Sequence, residues 1–198
     1  MSTSAPGFAA GQLTPHELEQ GSRSLESARE AVLRSTQGLS EAQWHYRPAA
    51  DRWSIAEILE HIVVVQDRVL GPLWDQLVTA PPPPAGHDSK VVAALILTET
   101  PNRSEKFPAP EPVRPAARWT PAAALERFLA NDAKLRERLE STRDLHQHAV
   151  PSMPLKAISK GAHELMDGYE WILLVAGHSE RHTLQIREVI ADPNFPRS

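Results

Sequence analysis

Five short stretches of this chain carry the chemistry of a helix start. Thr14-Pro15-His16-Glu17, Ser40-Glu41-Ala42-Gln43, Ser54-Ile55-Ala56-Glu57 and Asp167-Gly168-Tyr169-Glu170 each set a capping side chain three residues before a Glu or Gln. Thr120-Pro121 pairs a capping hydroxyl with a proline at the first helical position. The cap oxygen accepts from the amide three residues on, and the Glu or Gln reaches back to the cap's own amide. Two orphan donors of a new helix are then satisfied locally. Proline suits the first position because its missing N–H would have no partner there. Ser40 opens only a short turn ending near Arg47-Pro48, whereas the other four starts lead into long runs.

Those runs have helical period. Leu18, Ser22, Leu25, Ala28, Val32 and Leu33 mark the first, up to Gly38. The second runs from Ser54 to about Val78, with Trp53 and Ile58 as a staple across its first turn and a kink at Gly71-Pro72. The prolines of 81–84 stop it, having no amide to donate. Leu125, Phe128, Leu129, Leu135 and Leu139 mark a third helix ending near Thr142, and the fourth carries Trp171 to Ile190 before Pro193. Between the second and third helices, about residues 80–119, lies a long proline-rich insertion in which Val91–Leu97 reads as a short helix, with a strand as the alternative. No segment is a convincing strand. The reading is all-α, an antiparallel four-helix bundle forming one domain over 13–198, with residues 1–12 as a flexible tail.

Composition removes several functions. Twenty-one Lys+Arg against 25 Asp+Glu leave a net charge of −4, which argues against a nucleic-acid partner. The absence of cysteine excludes disulfides, thiolate metal sites and a cysteine nucleophile. No apolar run approaches the roughly 18–20 residues of a membrane span. The N-terminus lacks the basic and apolar regions of a secretory signal. The expectation is a cytoplasmic protein with a small-molecule substrate, and an exposed apolar helix face would suit a homodimer.

Nine histidines are left to explain. His16, His45 and His87 fall at a helix start, a connector and a proline-rich loop, and read as exposed; His146, His148 and His163 belong to the loop before the last helix. His178 and His182 are different. Four apart on one helix, they stack a turn above one another and share a side with Trp171, Val175, Ile186 and Val189, so they face the interior. His61 lies on the core side of the second helix, near Ile58, Ile62 and Val65. Bundle neighbours lie roughly 8–10 Å apart, so one His can meet an i,i+4 pair at a shared centre. Three neutral nitrogens with open positions suit zinc or nickel, and iron would accept them. Core histidines bonded to backbone or carboxylate are the alternative, and a metal site should weaken as pH falls through about 6.5.

The segments around these histidines, Arg47-Pro48 with Trp53-Ser54-Ile55-Ala56-Glu57-Ile58-Leu59-Glu60-His61, and Asp167-Gly168-Tyr169-Glu170-Trp171 leading into His178-Ser179-Glu180-Arg181-His182, resemble the DinB/YfiT-like superfamily. That resemblance implies a four-helix bundle with His61, His178 and His182 as metal ligands. It also implies a metal-dependent hydrolase, or a transferase or isomerase using a low-molecular-weight thiol as cosubstrate. A non-catalytic metal-binding or dimerising bundle is the alternative.

Other residues have both functional and ordinary readings. Glu57 could act as a base beside the metal, although its capping role with Ser54 already explains it. Arg68, two turns beyond His61, and Arg181 could hold a substrate carboxylate, or be solvated. Gln185 could orient an imidazole. Trp53 and Trp171 read as core and staple, and Glu60 and Asp67 as solvated.

Overall fold

The computed structural model describes residues 12–197, so the expected tail lies outside the described residues apart from Gln12. In chain order the helices are α1 (Pro15–Thr36), α2 (Glu41–His45), α3 (Ile55–Arg68), α4 (Trp74–Leu77), α5 (Ser89–Glu99), α6 (Pro121–Ser141), α7 (Met153–Ile158) and α8 (Gly168–Ile190). All four capping boxes read from the sequence are formed, at Thr14, Ser40, Ser54 and Asp167, and Thr120 caps α6 through the amide of Ala123. The four long helices form a bundle: α1 lies along α8, α3 packs on both α6 and α8, and α1 also meets α6.

Two apolar clusters fill it. One joins Leu25 and Ala28 of α1, Leu135 and Leu139 of α6 and the Trp171–Ala176 stretch of α8 to the buried side of α5. The other joins Val32, Ile58, Ile62, Phe128, Ile186 and Val189. Between these apolar stretches the long helices turn polar while staying buried, at Asn131 and Asp132 on α6 and at Ser179, His182 and Thr183 on α8. The faces differ from the simple wheel in three places. Leu18 and Leu129 stand at the exposed edges of their helices, and on α1 the interior position is Gly21 rather than Ser22, because Leu139 and Tyr169 press against it.

The second helix does not run unbroken to Val78. Gly71 leaves the helical region (φ −107°, ψ −107°) ahead of Pro72, and Val69–Leu73 forms a wide π-type turn before α4 resumes. The proline cannot donate into the helical ladder, so the kink falls where the sequence set it. The expectation of no sheet is also corrected. β1 (Ala149–Pro151) and β2 (Leu165–Asp167) pair antiparallel, Ala149 opposite Asp167, with α7 between them. Strands of three residues carry too little alternation to be read from sequence. The Val91–Leu97 stretch is helical, within α5, whose amides at Lys90 and Val91 are capped by Asp88.

Candidate metal centre

α3 supplies His61 and α8 supplies His178 and His182. His61 and His182 are buried and His178 is partly exposed. One ligand atom from each lies within 4.8 Å of the others. Nε2 of His61 and Nε2 of His178 are 3.1 Å apart, and the three ring centroids are 4.4–4.9 Å from one another. Three imidazole nitrogens at about 2.0–2.1 Å from a tetrahedral ion would be about 3.3 Å apart, which the His61–His178 pair matches, and the donor set is of the kind that fits a divalent cation.

Two of the rings have their outer nitrogen engaged. Nδ1 of His61 donates to the carbonyl of Val113 at 2.7 Å, and Nδ1 of His182 donates to Oε1 of Gln185 at 2.8 Å. With the proton on Nδ1, the Nε2 lone pair is left for the centre. Burial holds the rings neutral. It lowers His61 against the opposing bond to Val113, and it takes His178 well down, helped by the two neighbouring imidazoles. His182 is pulled down to about 3, first by burial and then by His61. Protons would therefore compete with a cation at this site only below the 6.5 expected of free imidazole.

The surrounding residues divide differently from expectation. Trp53 is not only a staple: its ring lies 5.0 Å from that of His61 and stacks over His182, forming a wall of the centre. The Gln185 side chain lies against His182, its Oε1 accepting from the ring. Glu57 stays in its capping box with Ser54 and pairs with Arg47. Arg68 is exposed at the end of α3. Arg181 turns to the insertion, where it donates to the carbonyls of Asn102 and Glu105 and covers Phe107.

Glu60 and Asp67 correct the expectation of solvated side chains. Glu60 is buried, its Oε1 accepting from the amides of Ala116 and Arg118 and from the Arg118 guanidinium. Asp67 accepts from Arg127 and Asn131 of α6. Both are buried or bridged by elements distant in sequence, which a helical wheel cannot show.

A second polar cluster gathers at the start of α8. His87, expected in solvent, bonds Glu170 at 2.9 Å, and the buried carboxylate raises its basicity. His146 bonds Asp167 at 2.7 Å and approaches Glu17 at 3.4 Å. Burial opposes the charge on His146, but Asp167, Glu17 and Glu170 together raise its pKa. Glu17, Asp167 and Glu170 are members of capping boxes, so two imidazoles tie two helix N-termini together. His148 meets the carbonyl of Ala80, His163 lies in the turn after α7, and His16 and His45 are exposed as read.

Comparison with known proteins agrees with this architecture. A solved structure, YfiT from Bacillus subtilis, described as a probable metal-dependent hydrolase with an unusual four-helix bundle topology, superposes with a TM-score of 0.54 at 12% identity. The match covers 94% of this chain and 91% of that one, and it establishes a shared fold. No curated protein matches the sequence. Among the described residues no helix is long and apolar enough to cross a membrane. The family model of the DinB superfamily matches residues 24–186, a span that includes all three converging histidines, and the chain belongs to that superfamily.

Proposed function

We propose that His61, His178 and His182 hold one divalent cation, and that the protein is a metal-dependent enzyme acting on a small molecule by hydrolysis. The observation that carries this reading is the convergence of three imidazoles, held neutral by burial, from two adjacent helices. Imidazole donors suit zinc or nickel first and iron next. Held by these three residues, such an ion would supply Lewis-acid chemistry, activating water or polarising a carbonyl. The chain's own residues hold the reacting geometry. Val113 and Gln185 fix two rings, and Trp53 walls off one side from solvent. The chain has no thiol, so the transferase variant would need a low-molecular-weight thiol as cosubstrate. The description of YfiT as a probable hydrolase favours water.

The test is elemental analysis of protein purified without an affinity tag, followed by assay on a panel of esters and amides. We expect stoichiometric metal, its loss in His178→Ala, and turnover that disappears with the metal. If zinc neither binds nor raises the melting temperature, the metal assignment fails. Bound metal without turnover, with or without added thiol, would leave a non-catalytic metal-binding bundle.

A further inference from the structure

The insertion between α5 and α6 crosses the bundle on the side of the centre, and α3 grips it at two consecutive residues. His61 donates to the carbonyl of Val113, presented by a single 3-10 turn at Glu111–Val113. Its neighbour Glu60 takes the next part of the strap. One carboxylate oxygen, Oε1, accepts from the amide of Ala116 at 2.8 Å, the amide of Arg118 at 3.3 Å and Nη1 of Arg118 at 2.7 Å. Nη1 of Arg118 also donates back to the carbonyl of Arg114, closing the loop on itself. Between the two amides, Ala117 has φ of 54°, a left-handed conformation that a side chain disfavours. That turn aims the amides on both sides at one oxygen, a concave cradle for an anion. Glu60 is 3% exposed, and its buried charge is matched by this cradle and by Arg118.

We propose that Glu60 is a positioning residue of the metal centre, which acts through residues 113–118 to fix the tautomer and orientation of His61. The proposal rests on the reading of the three histidines as metal ligands. The carbonyl of Val113 belongs to a segment without regular hydrogen-bonded structure beyond its one turn, so its place over His61 depends on what anchors the strap. Glu60 anchors it three to five residues downstream. With the cradle lost, Val113 leaves Nδ1 of His61, and the ring is free to rotate or to carry its proton on the nitrogen that should face the cation. Loss of an outer hydrogen bond to a ligating imidazole weakens metal binding by roughly 10- to 100-fold.

The test measures zinc affinity of the full chain by competition with a chromophoric chelator, together with hydrogen exchange of the strap amides. Glu60→Ala is expected to weaken binding roughly 10- to 100-fold and to expose the amides of Ala116 and Arg118. Should that variant fail to fold, Ala117→Pro breaks the cradle from the exposed strap side, since proline cannot adopt positive φ, and the same loss is expected. Ala117→Gly, which accepts that backbone freely, should keep wild-type affinity or exceed it. Wild-type protein that binds no zinc would defeat the metal assignment itself. Tight zinc binding in the wild type, with unchanged affinity in Glu60→Ala or Ala117→Pro despite a loosened strap, would overturn the role given to Glu60.

Discussion

Replacing His146 by Ala should make the protein less stable near neutral pH and flatten the dependence of its stability on pH. Asp167 is fully buried, and His146 supplies one of its close partners, beside Ser89 at 3.1 Å and the amide of Glu170 at 2.9 Å. A hydrogen bond between an imidazolium and a buried carboxylate contributes about 1.5–3 kcal/mol. The 3.4 Å approach to Glu17 is too long to add much. For a chain of this size each kcal/mol moves the melting temperature by about 2–4 °C, so the variant should melt about 3–12 °C lower at about pH 6. The sign with pH follows from linkage. The folded pKa of His146 is raised, so its contribution is complete below about 6.5, the unfolded value, and fades as pH rises through the folded one. The gap between wild type and His146→Ala should therefore narrow toward about pH 9. Thermal melts in chelator across that range check it. Equal stability at about pH 6, or a gap that widens in alkali, would refute the account.

Three further outcomes follow from the same geometry. Phe128→Ala opens a void among Ile58, Ile62 and Val189 in a side chain only 1% exposed, and should lower stability by about 3–5 kcal/mol in denaturant titration. Gly168→Ala sets a Cβ 2.9 Å from Cδ2 and 3.1 Å from the carbonyl of Leu145, where α8 begins. The same titration should find a loss of about 1–3 kcal/mol, despite alanine's better helix propensity. Zinc should stay bound on acidification well below pH 6.5, because burial already holds His182 down to about 3. Metal analysis after dialysis at stepped pH reads this directly, and release centred on the ordinary imidazole range would contradict it.

The parts of the fold legible in the sequence are those fixed within one helical turn. Capping boxes at Thr14, Ser54 and Asp167 set helix starts because donor and acceptor are three residues apart. His178 and His182 could be placed together for the same reason, and His61 joined them because its wheel position also faced inward. What remained hidden depends on partners far along the chain. Glu60 sits beside His61 on the wheel's outer side, and only a strap 56–58 residues away buries it. His87 meets Glu170 across 83 residues. Trp53 precedes α3, where helical periodicity assigns no face, so its approach to the imidazoles could not be drawn. The short β1–β2 pair exists through its partner strand and through the contact of Gly168 with Leu145.

The alternation of apolar and polar stretches along α8 has a consequence for how the molecule loosens. Trp171–Ala176 belongs to one oily compartment and Ile186 with Val189 to the other, and the intervening hydroxyls and imidazoles make few of the nonspecific contacts that fuse neighbours into a single melting unit. The molecule thus holds two apolar compartments on shared helices, and along α8 the imidazoles of His178 and His182 fall between them. An ion held by His61, His178 and His182, as proposed, would pin α3 to α8 at this level of the bundle.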